Sequence, residues 1–238
     1  MLAQSCDDVS EAMGGLKNAA LEFKLDGARV QIHRAGDQVV VFSRSLNDVT
    51  AAVPEIVEAV RTLPERDLIL DGEVLAMATS GASGRPLPFQ TTMRRFGRRL
   101  DVDRMRGELP LSPFWFDLLY VNGSSLLDEP QSRRFAALEK MAPAEFVVPH
   151  TVALNSGQAN DFFKAALLQG HEGIMAKALD ASYAAGARGQ SWLKIKQART
   201  LDLVILAAEW GNGRRQGWLS NLHLGARDTE KGGFAMLG

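Results

Sequence analysis

Two strand patterns meet at an Asp-Gly dipeptide in the sequence LEFKLDGARVQIHR, which spans residues 21–34. A short apolar run precedes the dipeptide, and apolar and polar residues alternate after it, so we predict two strands joined by a tight turn. Glu22 and Lys24 share one face of the first strand, because side chains two positions apart point the same way, and Phe23 points into the core. A plain hairpin with a type I′ turn and a surface lysine is the alternative interpretation.

Outward from this segment, strand patterns alternate with helix patterns. Val53, Ile56, Val57 and Val60 recur at the spacing of one helix face, and a second helix is predicted between Ser156 and a cap at Gly170. This order favours an α+β fold with mainly antiparallel sheets. We predict strands at Leu21–Lys24, Ala28–Arg34, Gln38–Ser43, Asp67–Asp71, Phe114–Tyr120, Gly173–Lys177, Trp192–Lys196 and Leu201–Ala207.

The composition excludes several classes of protein. A chain of 238 residues fits one substantial domain with a remnant, or two small domains, and its 46% hydrophobic content excludes a disordered chain. A single cysteine, Cys6, allows no internal disulfide. The sequence has no basic leader and no long apolar run, so we expect a cytoplasmic protein without a membrane partner. The net charge of −1 means that any basic surface is local.

A second segment, Trp192-Leu193-Lys194-Ile195-Lys196, alternates apolar and cationic residues. Lys194 and Lys196 therefore lie on one face of a strand, roughly 7 Å apart. Like charges at that distance repel unless an anion lies between them, which indicates a phosphate site. Lysines on an exposed edge strand, where they block aggregation, are the alternative.

Two acidic segments are candidates for a metal site. Asp71-Gly72-Glu73 follows an apolar run, and Glu172-Gly173 precedes one. Each places a carboxylate at a strand edge, where its oxygens could bind a divalent cation. Taken singly, each is also explained as an ordinary turn carboxylate.

A local basic patch follows in the sequence FQTTMRRFGRR, residues 89–99. Arginines interleaved with aromatic residues suit contact with a phosphate backbone, without reading of base sequence. A solvated helix face is the alternative. The four arginines concerned are Arg94, Arg95, Arg98 and Arg99.

Other chemistries lack their sequence patterns. The chain contains neither the GxxxxGK[ST] loop nor GxGxxG, and its four histidines are too scattered for a zinc motif. The arrangement SxxK at Ser191–Lys194 lacks the SDN and KTG partners of a penicillin-binding enzyme.

Taken together, the segments resemble the covalent nucleotidyltransferase superfamily, and within it the ATP-dependent DNA ligases. Lys24-x-Asp26-Gly27-x-Arg29 resembles the nucleophile motif, and Ser43-Arg44 resembles the segment that follows it in ligases. Four further segments match the remaining motifs in order: DGE at 71–73, FWFDLLY at 114–120, EGIMAK at 172–177 and WLKIK at 192–196. The resemblance covers most of the chain.

The resemblance implies a fold and a reaction. It implies a nucleotidyltransferase (ATP-grasp-like) domain of antiparallel sheets flanked by helices over residues 1–198, followed by the start of an OB-fold over residues 199–238. Lys24 would attack the α-phosphate of ATP to form lysyl-AMP. A free lysine side chain, with a pKa near 10.4, is almost entirely protonated at neutral pH. Nearby cations favour the neutral amine and nearby carboxylates the ammonium, and the sequence supplies both signs.

The resemblance also implies roles for other residues. Lys194 and Lys196 would stabilise phosphate charge, Glu73 and Glu172 would bind Mg²⁺ or another divalent cation, and Glu22 would lie near the edge of the adenine. Further implied contacts are Phe116 and Met175 on the adenine faces, Arg29 near the ribose or metal, and Arg44 and Arg188 at phosphates or nick termini.

The implied partner is nicked double-stranded DNA, bound by a monomeric enzyme that associates with the bacterial nucleoid. About two strands of the five-stranded OB-fold fit within the chain. We therefore expect the rest of that domain, and a DNA-binding segment, to belong to the same polypeptide but to lie outside this sequence. An RNA ligase, a GTP-using capping enzyme and a non-catalytic nucleic-acid-binding module remain alternatives.

Overall fold

The computed structural model describes the chain except Lys17, residues 79–83, Arg99, residues 198–200, Lys231, Gly238 and the side chain of Arg188. The chain forms two compact units, Met1–Gln197 and Ala198–Gly238. Each unit is described separately below.

The first sheet of the larger unit contains five strands in the order β1-β10-β9-β2-β8. Its neighbours are antiparallel except β1 and β10, which run parallel. These strands are β1 (Leu2–Cys6), β2 (Ala19–Lys24), β8 (His150–Val152), β9 (Gly173–Ala178) and β10 (Arg188–Lys196).

The second sheet also contains five strands, in the order β4-β3-β5-β6-β7, all of them antiparallel. Its longest strands meet closely at Gly72, where an added Cβ would lie 2.4 Å from Cε3 of Trp115. Only glycine fits at this approach. The strands are β3 (Ala28–Ala35), β4 (Gln38–Ser43), β5 (Asp67–Ala76), β6 (Leu111–Val121) and β7 (Ser124–Ser125).

Helices cover the sheets. The predicted apolar face of α2 is buried, and α6 begins after its N-cap Asn155 and is followed by Gly170, whose φ of +89° suits glycine. The Phe23 ring packs against Phe162 of α6 at a centroid distance of 4.8 Å. The helices are α1 (Val9–Gly15), α2 (Pro54–Arg61), α3 (Phe89–Phe96), α4 (Val102–Glu108), α5 (Gln131–Met141) and α6 (Ser156–Leu168).

The smaller unit contains one antiparallel sheet of three strands in the order β11-β12-β13. Its strands are β11 (Val204–Trp210), β12 (Leu219–Arg227) and β13 (Phe234–Met236). Many apolar side chains of this unit are exposed, among them Trp210 of β11 at 71% and Trp218, just before β12, at 75%.

The predicted α+β class with mainly antiparallel sheets is confirmed. The edge-strand interpretation of Lys194 and Lys196 is wrong, because β10 lies between β1 and β9 and both of its edges are paired. None of the helices in the described part of the chain has the length and apolar content of a membrane-spanning helix.

Candidate active site

Both sheets of the larger unit contribute residues to a cavity of about 520 Å³. The first sheet contributes Lys24 and Met175, the second contributes Arg29 and Phe116, and α3 adds an apolar wall that includes Met93. A volume of this size suits a ligand as large as a nucleotide.

Lys24 ends β2, and its side chain forms an ion pair with Glu172. The strand register explains this contact, because Lys24 lies opposite Gly173, the first residue of β9. The other oxygen of Glu172 accepts a hydrogen bond of 2.7 Å from Lys196. One carboxylate therefore lies between two ammonium groups, and these contacts outweigh its partial burial, so the pKa of Glu172 is lowered.

Lys194 lies two residues before Lys196 on the same strand and lines the same cavity. Among the described residues, no carboxylate lies within ion-pair distance of Lys194. An anionic ligand would therefore meet Lys194 without a competing carboxylate, whereas it would share Lys196 with Glu172.

The Asp-Gly segment lies directly against β5. The predicted hairpin turn is wrong, because β2 and β3 belong to different sheets and this segment crosses from one sheet to the other. The backbone N–H of Gly27 donates to Glu73 Oε1 at 3.2 Å, and an added Cβ at Gly27 would lie 2.4 Å from the Val74 carbonyl oxygen. Burial raises the pKa of Glu73 to about 7, against the opposing charges of Lys24 and Arg29. Glu73 therefore holds its proton to a higher pH than an ordinary glutamate does.

Arg29 lines the cavity from β3, and hydrogen bonds to other residues fix the position of its guanidinium. Its Nε and Nη2 donate to the two oxygens of Asp71 at 3.1 and 2.6 Å, and Nη1 donates to the Met1 carbonyl at 2.7 Å. The Tyr183 hydroxyl donates to the same Asp71 carboxylate at 2.7 Å. Despite partial burial, these bonds raise the pKa of Arg29, so its charge is permanent.

A buried ion pair lies in the cavity wall beside the aromatic residues. Glu22 is 2% exposed and accepts from Lys177 Nζ at 2.6 Å. The Lys177 ammonium also lies 4.6 Å from the ring centroid of Phe116 and 4.2 Å from that of Trp192. Burial raises the pKa of Glu22, and the adjacent ammonium opposes this shift.

Phe116 and Met175 line the cavity from different sheets, Phe116 on β6 and Met175 on β9. The Arg29 guanidinium lies 5.5 Å from the Phe116 ring centroid. An aromatic ring and a thioether from two separate walls suit contact with a planar base.

The arginines of the basic patch differ in their exposure to solvent. Arg94 and Arg98 are exposed, as expected for residues that contact phosphate. The prediction that Arg95 contacts nucleic acid is wrong, because its side chain is fully buried and donates to both oxygens of Glu55 at 2.8 and 2.9 Å. Arg99 lies outside the described residues.

Arg44 and Arg188 are the two remaining residues that were predicted to contact phosphate. Arg44 is exposed and lines the cavity. Arg188 begins β10, opposite Leu2, and its side chain is not described.

Sequence reasoning missed three residues around the site. Lys177 belongs to a segment that was recognised, but its burial depends on a partner 155 residues away. Trp192 also lines the cavity. Tyr183 lies outside every recognised segment and contacts Asp71 across 112 residues of chain; no local sequence signal indicates this contact.

Comparisons with known proteins show the family of the chain. A family described as "ATP dependent DNA ligase domain" matches residues 1–196. A protein named "Probable DNA ligase" from Anaeromyxobacter dehalogenans is 60% identical over the whole chain, and "DNA ligase B" from Mycobacterium tuberculosis is 52% identical. The chain spans 46% of each of these relatives, about half of their length.

The fold is shared with solved structures. A mycobacterial DNA ligase D, complexed with ATP and MES, is 28% identical and superposes with a TM-score of 0.65. The match covers 99% of this chain and 70% of that one.

Proposed function

Because the chain belongs to the family of ATP-dependent DNA ligase domains, we propose that it binds ATP in the cavity and transfers AMP to Lys24. The observation that supports this proposal most is the position of Lys24, whose side chain lines the cavity beside Glu172, Lys194 and Lys196. A lysine nucleophile, a carboxylate and two cations beside a nucleotide-sized space are the groups that adenylyl transfer requires.

In the proposed reaction the Lys24 Nζ attacks the α-phosphorus of ATP. A phosphorus–nitrogen bond forms, the bond to the bridging oxygen breaks, and pyrophosphate leaves. The ammonium of Lys24 must first leave its ion pair with Glu172 and give up a proton to water, and the amine loses a second proton to water once the phosphorus–nitrogen bond has formed. Lys194 and Lys196 lie on the same strand face and would stabilise the negative charge that develops on the phosphate oxygens, an effect worth several kcal/mol at such sites.

Mg²⁺ fits the carboxylates of the site if the nucleotide phosphates supply most of its ligands. Among the described residues, no three acidic, histidine or cysteine side chains form a metal-binding group. Glu73 and Glu172 would therefore be the protein ligands of an ion held largely by the nucleotide phosphates, as is usual for Mg²⁺. When bound, the ion would neutralise phosphate charge.

The nucleoside would lie deeper in the cavity. Phe116 and Met175 would contact the two faces of the adenine, and Glu22 would lie near its edge. Arg29 would contact the ribose.

The intact protein would use the adenylate to seal DNA. AMP would pass from Lys24 to the 5′-phosphate at a nick, and the 3′-hydroxyl would then displace it. Arg44, Arg94, Arg98 and Arg188 would contact the DNA backbone or the nick termini. We propose that the smaller unit begins an OB-fold completed by further parts of a monomeric polypeptide, which acts in the cytoplasm at the nucleoid.

The test is covalent labelling with ATP radiolabelled at the α-phosphate, in the presence of Mg²⁺. We expect label that survives denaturation, is removed by pyrophosphate, and is absent from Lys24→Ala. Lys164→Ala is the matched control, because Lys164 is exposed on α6, and it should be labelled as the wild type is. Labelling by GTP or NAD instead of ATP would identify one of the alternative nucleotidyltransferases.

A further inference from the structure

The Tyr183 side chain lies behind the cavity wall, out of reach of a ligand. The cavity is lined by Arg29 but by neither Asp71 nor Tyr183. Tyr183 is 9% exposed, and its backbone N–H donates to the Leu127 carbonyl at 2.8 Å. Its ring packs edge-to-face on Trp192, with centroids 6.2 Å apart. The position of the hydroxyl is therefore set by packing on several sides.

The hydroxyl completes a closed set of hydrogen bonds with Arg29 and Asp71. It donates to Asp71 Oδ2 at 2.7 Å, and the same oxygen accepts from Arg29 Nη2 at 2.6 Å. Nη2 also donates to the Tyr183 oxygen at 3.3 Å. Each of the three groups thus contacts the other two, so none can rotate without breaking bonds to both partners.

These bonds occupy most of the guanidinium. Nε donates one hydrogen to Asp71, Nη2 donates to Asp71 and Tyr183, and Nη1 donates to Met1. Since a guanidinium has five N–H donors, one N–H of Nη1 remains without an acceptor among the described residues. That single donor is available to a ligand only while the plane of the guanidinium is held in place.

We propose that Tyr183 is a positioning residue for nucleotide binding, which holds Arg29 toward the cavity through the Asp71 carboxylate without touching the nucleotide itself. This inference rests on the proposed function. The hydroxyl remains a donor at all working pH values, because burial and the Asp71 charge raise the pKa of Tyr183 well above its ordinary value. Arg29, Asp71 and Tyr183 together form the support of the ribose-facing wall.

The test measures affinity for α,β-methylene-ATP, which cannot transfer AMP, by isothermal titration. We expect Tyr183→Phe to bind about tenfold more weakly than the wild type, because it loses a hydrogen bond to a charged group. Tyr120→Phe is the matched control: Tyr120 is the other tyrosine of the chain, and its hydroxyl takes no part in the bonds above. This variant should bind with unchanged affinity.

A double-mutant cycle separates positioning from general stability. If Tyr183 acts through Arg29, Tyr183→Phe should weaken binding no further once Arg29→Gln is present. Additive losses, or an unchanged affinity of Tyr183→Phe, would overturn the inference. Thermal melts report whether the variants fold, and Asp71→Asn tests the same link from its other side, with a similar loss of affinity expected.

The same titration distinguishes the two proposals. A wild-type protein that binds the analogue while Tyr183→Phe binds equally well contradicts only the role of Tyr183. A wild-type protein that does not bind the analogue contradicts the nucleotide site, and the inference fails with it.

Discussion

Replacement of Gly27 by alanine tests how closely the nucleophile segment lies against the second sheet. The added Cβ would lie 2.4 Å from the Val74 carbonyl oxygen and 2.9 Å from Cγ of Leu75. Ordinary contact begins near 3.4 Å, so the Asp-Gly segment would have to move by about 1 Å. The carbonyl cannot rotate aside, because Val74 is paired on both sides, with Ala28 of β3 and Pro113 of β6.

The displacement should affect both stability and activity. Overpacking against a fixed backbone destabilises a protein by about 1–3 kcal/mol, and we expect Gly27→Ala to fall at the upper end of that range. Lys24 lies three residues before Gly27, and a misplacement of roughly 1 Å can slow a reaction by about 100-fold. Adenylation by the folded variant should therefore be slower by about that factor.

Urea unfolding followed by tryptophan fluorescence is the assay for stability. Trp115 and Trp192 are buried in the larger unit, whereas Trp210 and Trp218 of the smaller unit are exposed already in the folded state, so the change in signal reports mainly on the larger unit. Gly107→Ala is the control: it lies in α4 with nothing within 4 Å of an added Cβ, and it should be more stable than the wild type by about 0.5 kcal/mol. Wild-type stability and adenylation in Gly27→Ala would refute the reasoning.

Three further predictions concern charges. Arg95→Ala should destabilise the larger unit by about 3–5 kcal/mol in urea unfolding, because it leaves the Glu55 carboxylate without its partner. Arg94→Ala and Arg98→Ala should instead leave stability unchanged and each reduce the salt dependence of DNA binding by about one phosphate contact in filter binding; loss of stability there would contradict the surface assignment. The folded protein keeps a proton on Glu73 up to about pH 7, whereas an unfolded glutamate loses it near pH 4.3. The free energy of unfolding, measured in EDTA, should therefore fall by roughly 3 kcal/mol between those pH values, and unfolding of Glu73→Gln over the same pH range should lack that fall.

The sequence predicted the features that depend on neighbouring residues. A short apolar run identified the strand that holds Lys24, and alternation identified the strand that holds Lys194 and Lys196. The faces of these side chains then followed, because side-chain direction in a strand depends on position alone. The helix face of Ile56 and Val57 was predicted for the same kind of reason.

Features that depend on distant pairing were missed or wrong. Four arginines near one short helix indicate a basic surface, but Arg95 turns inward because Glu55, 40 residues earlier, neutralises it in the core. Tyr183 was missed for the same reason. Its partner Asp71 lies on β5, and only the folded chain brings β5 next to the loop before β10. The β1 strand was not predicted, and it pairs in parallel with β10, almost the whole length of the larger unit away in sequence.

Peptide mass spectrometry of the protein after incubation with ATP and Mg²⁺ tests the central claim, that Lys24 receives AMP, most directly. We predict one adenylated peptide, with the modification on Lys24 and its loss on addition of pyrophosphate. AMP on Lys194, Lys196 or Lys177, or an unmodified Lys24 in protein that releases pyrophosphate from ATP, would contradict the account.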